Sequence, residues 1–328
     1  RDRVNTVFHK NQTDPAVAVA DDGSFVVVWV SEDQDSNNKG IFGQRFDADG
    51  TRLGAEFQVN TYVNKAQITP DVAMDANGRF VVVWASDDQD GDDYGIYGQV
   101  FDAAGNGVGS EFRVNVTTAK HQQAPSVAMD QDGDFVVVWQ SEVPGNDKWD
   151  ILARRFDANG AAKDVAEIQI SSVVDETQLA PDVAMDATGN FVVVWQSKDL
   201  DYPDGEFGVF QRRFDADGTA LTAKQSVVNT KVTKDQLAPV VAMEDDGDYV
   251  IAWQGEKQDD PDGKFGVFAQ RYAADGSAIG GEFRANTTTV KDQRAPAIAA
   301  GDDGRFIVAW ESDGEDGDGY GIHGQLYK

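Results

Sequence analysis

FVVVW stands at residues 25–29 and recurs at 80–84, 135–139 and 191–195, with YVIAW at 249–253 and FIVAW at 306–310 as its variants. The starts lie 55, 55, 56, 58 and 57 residues apart. Each copy is a short run of β-branched and aromatic residues bounded by Gly/Asp turns, the pattern of a strand beside a core. Six near-evenly spaced copies make the chain a repeat protein.

Three further segments accompany each copy. Before it comes Q-x-x-P with a short apolar run, as in QITPDVAM at 67–74. After it come a G-[IV]-x-x-[QR]-R-F-like segment, as in GIFGQRF at 40–46, and E-F-x-V-N, as in EFQVN at 56–60. Turns such as DANG at 75–78 and DADG at 47–50 separate them, and their glycine supplies the positive φ of a tight hairpin. No segment keeps a 3.6-residue apolar period, so no helix is expected. Four antiparallel strands per unit of about 55 residues match a propeller blade.

The reading is an all-β, six-bladed β-propeller spanning residues 1–328. Its blades run over about 12–61, 67–116, 122–172, 178–230, 236–287, and 293–328 plus 1–6. The chain stops at GIHGQLYK, a third strand, and starts with RDRVNT, which resembles the fourth-strand E-F-R-V-N-T. The N-terminal strand is therefore expected to complete the last blade and close the ring, covering otherwise unpaired edges. A solenoid or a string of separate sheets is the rival geometry. It gives the permuted ends no purpose.

Composition narrows the function classes. The 328 residues hold 57 acids and 28 Lys/Arg, a formal net charge of −29, which repels nucleic acid. There are no cysteines, which excludes a disulfide framework, thiol chemistry and zinc–thiolate sites. No apolar stretch reaches the length of a membrane span, and none at Arg1 reads as a signal peptide. The numbering is expected to begin after processing or to describe a cytosolic protein. The missing cysteines favour a bacterial source for an extracellular reading.

The loops after FVVVW stand out. Residues 31–40, 86–95, 141–150, 197–208, 255–266 and 312–321 hold 23 of the 57 acids in 64 positions, on one expected face. Blade one has Asp33, Asp35 and Asn37; blade two has Asp88, Asp90 and Asp92. Blade four has Asp199, Asp201 and Asp204; blade five has Asp259, Asp260 and Asp262; blade six has Asp313, Asp316 and Asp318. Alternating acids in a glycine-containing loop can turn several oxygens inward, as calcium requires. Ca2+ is the expected cofactor, and these fifteen residues are the expected metal ligands. The loops lack the twelfth-place glutamate of an EF-hand, and blade three breaks the pattern. The bland alternative is a solvated acidic surface.

The same face carries the glutamines of Q-x-x-P: Gln12, Gln67, Gln122, Gln178, Gln236 and Gln293. They are the candidate ligand rim, set against a structural reading in which they satisfy loop backbone. Lysines two residues earlier (Lys10, Lys65, Lys120, Lys234, Lys291) are expected to pair with acidic loops. The tryptophan that ends each FVVVW-type segment reads as interblade core. Three histidines, no serine elbow and no metalloprotease or phosphate-loop motif give no catalytic residue.

The combination Q-x-x-P-x-V-A, D-G-x-F-V-V-V-W-x-S, G-I-x-G-Q-R-F-D-A-D-G and E-F-x-V-N-T resembles repeats of large secreted bacterial proteins, RTX- and adhesin-like. The resemblance covers essentially the whole chain. It implies a secreted or cell-surface location and a calcium-rich setting, possible membership of a larger surface protein, and no particular reaction. The expected function is a non-enzymatic binding or structural module with calcium-binding loops. Its partner would be a glycan or another extracellular protein surface. A multivalent glycan-binding lectin and a polysaccharide hydrolase or lyase are the alternatives.

Overall fold

The computed structural model describes residues 3–35, 38–173, 176–198, 205–258, 264–314 and 319–328. The chain is an all-β six-bladed β-propeller, and among the described residues there is no helix. None is therefore long and apolar enough to cross a membrane.

Blade one is β1 (Gln12–Val19), β2 (Phe25–Glu32), β3 (Lys39–Phe46) and β4 (Arg52–Gln58). Blade two is β5 (Gln67–Met74), β6 (Phe80–Asp87), β7 (Tyr94–Phe101) and β8 (Gly107–Arg113). Blade three is β9 (Gln122–Met129), β10 (Phe135–Glu142), β11 (Trp149–Phe156) and β12 (Ile168–Gln169). Blade four is β13 (Gln178–Met185), β14 (Phe191–Ser197), β15 (Gly208–Phe214) and β16 (Ser226–Val227). Blade five is β17 (Gln236–Met243), β18 (Tyr249–Glu256), β19 (Phe265–Tyr272) and β20 (Ala278–Arg284). Blade six is β21 (Gln293–Gly301), β22 (Arg305–Asp313) and β23 (Tyr320–Tyr327).

Strands follow chain order within every sheet, and neighbouring strands pair antiparallel. The chain divides into two compact units, Arg1–Asp147 with Leu152–Gln169, and Lys148–Ile151 with Ile170–Lys328.

The Q-x-x-P motif has a mechanical explanation. The pairing of β5 with β6 shifts register between Ile68 and Asp71, and the same bulge recurs in the other five blades. Proline has no N–H to give the ladder, so a bulge is where a strand tolerates it. The residue before each proline takes a left-handed φ: Asp14 51°, Thr69 49°, Ala124 50°, Ala180 51°, Ala238 49° and Ala295 49°.

The hairpins form as their sequences dictate. In DANG, Gly78 has φ +83° and donates to Asp75 O, while Asp75 Oδ1 accepts the Asn77 and Arg79 N–H groups. The aspartate thereby satisfies turn backbone that would otherwise be orphaned.

The core lies between successive blades. Trp84 packs with Val26, Val28, Val30 and Ile41 of blade one, and Trp139 with Val81, Val83 and Ile96 of blade two. In the second unit Trp253 meets Val192, Val194 and Val209, and Trp310 meets Val250, Ala252 and Val267. Each tryptophan is thus a core residue, as its position at the end of a strand implied.

The sixth sheet has three strands among the described residues, so the pairing expected of the N-terminal strand is not among those described. Residues 3–6 nevertheless behave as a fourth-strand tail. Thr6 N and Oγ1 both donate to Glu56 Oε2, at 2.6 and 2.8 Å. Thr61 makes the same two bonds to Glu111, at 2.6 and 2.9 Å.

Candidate functional site

Every blade fastens its loop face with one backbone bond. The last residue of the second-strand segment donates its N–H to the residue just before Q-x-x-P. The six pairs are Glu32–Asn11, Asp87–Ala66, Glu142–His121, Lys198–Thr177, Glu256–Asp235 and Asp313–Asp292, at 2.8–3.1 Å. The backbone relation is constant while the side chains vary. A third repeat position stands two residues before the third-strand G-[IV] or its equivalent: Asn38, Asp93, Lys148, Glu206, Lys264 or Gly319. Asp93 and Glu206 meet the pair of the following blade.

Chemistry concentrates where this third position is acidic. At the junction of blades four and five, Glu206, Asp235 and Glu256 place carboxylate oxygens within 4.8 Å of one another. They form the one such group of three among the described residues. Phe207 N–H donates to Asp235 Oδ1 at 2.9 Å, and Gln236 N–H returns a bond to Phe207 O at 2.9 Å. Lys234 Nζ lies 3.1 Å from Glu206 Oε1. Lys198 stands over the Phe207 ring, 5.1 Å from its centroid.

The two acids are driven apart in ionisation. Hydrogen bonds from Lys234 and Asp235 hold Glu206 below the usual carboxylate range. Burial pushes Asp235 up, and the neighbouring Glu206 and Glu256 add to the rise against the Phe207 N–H. Carboxyls this close disfavour each other's ionisation, so their titrations are coupled. Two neighbouring carboxyls pushed in opposite directions are the arrangement acid–base chemistry uses.

The expected metal ligands of blade two are not gathered. Asp88 lies 3.6 Å from Lys65 Nζ, Asp90 Oδ2 accepts from Asn115 Nδ2 at 3.2 Å, and Asp92 Oδ2 accepts from Lys120 N–H at 3.2 Å. Three partners draw the three carboxylates apart. In blade one Asp33 lies 3.4 Å from Lys10 Nζ, and in blade six Asp313 lies 3.5 Å from Lys291 Nζ. Asp35 lies against the backbone of Gly40, where a Cβ would meet its Oδ2 at 2.4 Å. Asn37, Asp199, Asp201, Asp204, Asp259, Asp260, Asp262, Asp316 and Asp318 lie outside the described residues.

The glutamine rim is corrected. Gln67, Gln122, Gln178, Gln236 and Gln293 are fully buried and Gln12 half-buried, and their hydrogen bonds run to groups within the protein. Trp195, Trp253 and Trp310 donate their Nε1–H to Gln178, Gln236 and Gln293 at 2.7, 3.1 and 3.0 Å. Gln12, Gln67 and Gln122 instead accept from Asn5, Asn60 and Asn115 at 2.9, 3.1 and 3.2 Å.

Sequence reasoning passed over Glu206, Asp235 and Glu256, counting loop acids without aligning the flanks. The same alignment shows a further feature. The residue opening or just preceding the third strand is Tyr94, Trp149, Phe207, Phe265 or Tyr320, and Lys39 in blade one.

No protein family profile matches the chain, and no curated protein matches it. Solved structures do. A protein of unknown function from Dyadobacter fermentans superposes with a TM-score of 0.64 at 11% identity, over 96% of this chain and 94% of that one. The α-L-arabinofuranosidase Arb93A of Fusarium graminearum gives 0.60 at 10% identity, over 97% and 93%. A family PL25 ulvan lyase, a polysaccharide lyase, gives 0.56 at 11% identity, over 93% and 81%. At these identities the likeness is one of fold. Both of those with a stated activity are enzymes on sugar polymers or glycosides. The expectation of a non-enzymatic binding or structural module is corrected on that ground, and so is the expectation that the chain is no enzyme.

Proposed function

We propose that the chain is a carbohydrate-active enzyme, a hydrolase of neutral polysaccharide, with its chemistry at Glu206 and Asp235. The observation that carries this reading is the close acid pair, its carboxylate oxygens within 4.8 Å and its two groups pushed in opposite directions, where the repeat departs from its own pattern. Asp235 gives its proton to the glycosidic oxygen as the C1–O bond breaks, and Glu206 bonds to C1. Water then releases the sugar, with Asp235 now the base. The carboxylate oxygens lie within 4.8 Å of one another, short of the ~6.5–9.5 Å that inverting enzymes keep for a water between the acids. The lyase reading requires an acidic sugar, and a chain of net charge −29 repels polyanions. The fold likeness to an arabinofuranosidase and a polysaccharide lyase supports the sugar class.

The test is release of reducing ends from neutral and uronate polysaccharides by the native chain, Glu206→Gln and Asp235→Asn. Cleavage by the native chain alone supports the proposal, and cleavage that survives both substitutions refutes it. An extracellular location belongs to the same proposal, since a polymer of this kind does not enter cells. Immunodetection in the culture medium against the cell fraction tests it.

Calcium fits the Glu206 group poorly. The ion takes about six to eight oxygens, whereas three acids converge here and Lys234 already neutralises one of them. The alternative seat is the D-Q-D loop of blade two, where Gln89 Oε1 and Asp90 Oδ1 are shielded from solvent and accept no hydrogen bond from the chain, with water supplying the remaining oxygens. In this reading the ion is structural.

A further inference from the structure

We infer that the junction of blades two and three is a second saccharide-binding subsite, for a neutral sugar chain. Position for position it repeats the Glu206 junction with different chemistry. Asp93 stands for Glu206, His121 for Asp235, Glu142 for Glu256, Lys120 for Lys234 and Tyr94 for Phe207. The same backbone bond, Glu142 N–H to His121 O at 2.8 Å, fixes the register.

The side chains form a mixed polar set beside an aromatic ring. His121 Nε2 lies 3.6 Å from Asp93 Oδ2, and Lys120 Nζ lies 3.4 Å from Glu142 Oε1. The Tyr94 and His121 ring centroids are 6.0 Å apart at 34°. His121, Asp93 and Lys120 keep 35%, 43% and 48% of their side-chain surface open to solvent, while Glu142 keeps 13%. Carboxylates accept and Lys and imidazole donate, so both senses of a sugar hydroxyl are met. The partly open aromatic rings offer an apolar face for the C–H side of a pyranose or furanose.

This set differs from the Glu206 junction in a way that favours holding over cutting. The position that Asp235 holds at the Glu206 junction is His121 here, so the neighbouring Asp–Glu pair of that junction is replaced by an Asp–His pair. The ligand class is again neutral, because Asp87, Asp88, Asp92, Asp93 and Glu142 crowd this junction and its loop. The choice of a saccharide rests on the proposed polysaccharide function; the location rests on the repeat register.

The test is native gel retardation in gels carrying arabinan, mannan or polygalacturonate, in the uncleaving Glu206→Gln background. The variant Asp93→Asn/His121→Asn installs the residues that blade one carries at these positions, Asn38 and Asn11, so its fold is safeguarded. Tyr94→Ala is the second variant, with thermal melting to confirm folding of both. The expected result is retardation by a neutral polymer that weakens about tenfold in each variant, equal to about 1.4 kcal/mol. No retardation of the background protein, equal retardation of background and variants, or retardation by polygalacturonate alone overturns the inference. Loss of the hydrolysis claim would show separately, as cleavage indifferent to Glu206 and Asp235, and leaves the retardation result standing.

Discussion

Phe207 N–H donates to Asp235 Oδ1 at 2.9 Å, so the loop between the second and third strands of blade four holds the carboxyl that begins blade five. The bond ties the proposed general acid to the residue beside Glu206. Two segments 28 residues apart in sequence thereby keep their acids in one place.

The ionisation split sets the pH profile. Cleavage needs Glu206 charged and Asp235 protonated. The rate therefore falls on the acid side as Glu206 takes a proton, below the usual glutamate range, and on the alkaline side as Asp235 loses one, above the usual aspartate range. The two limbs belong to the coupled pair. Lys234→Met removes the ammonium that hydrogen-bonds Glu206 and moves the acid limb upward. The kcat/KM profile of native and variant chains checks this.

The carboxylate spacing predicts the stereochemical outcome. Proton NMR of the first product should show the anomeric configuration of the substrate retained. Inversion would mean that the two acids separate to admit water between them.

The buried glutamines are structural, and one substitution shows it. Gln178→Leu leaves the Trp195 Nε1–H without its 2.7 Å acceptor in a solvent-free interior. An unsatisfied buried donor costs about 1–3 kcal/mol. Urea unfolding should report that loss while polysaccharide cleavage by the folded protein persists.

The blade-two loop predicts a cation effect on stability. If Gln89 Oε1 and Asp90 Oδ1 seat calcium, millimolar calcium raises Tm over EDTA, and Asp90→Ala abolishes the difference. Superimposed melting curves in calcium and EDTA would remove the cation from the account.

The fold was legible because its signals are local and repeated. FVVVW, the Asp-Gly turns and the Q-x-x-P bulge each act within one hairpin, so a six-fold repeat of them defines six sheets. The tryptophans were legible for the same reason. The site was not, because it lies across a junction: Glu206 ends one blade's loop, and Asp235 opens the next blade. Counting acids by loop hid Glu206 among the twelve residues of 197–208. The glutamines misled in the opposite direction. A polar residue recurring on a loop face reads as a rim, and only the structure shows each turned inward to a tryptophan or an asparagine. The Asp88, Asp90 and Asp92 alternation suggested convergence, but Lys65, Lys120 and Asn115 supply separate partners.

The most direct measurement is reducing-end release from neutral polysaccharides by the native chain, Glu206→Gln and Asp235→Asn, each checked for folding by its melting curve. The account predicts cleavage by the native chain and a loss of about 10²–10⁴-fold in each variant, the scale of a general acid or base. Equal cleavage by all three folded proteins, or none by the native chain on any polysaccharide, would contradict it.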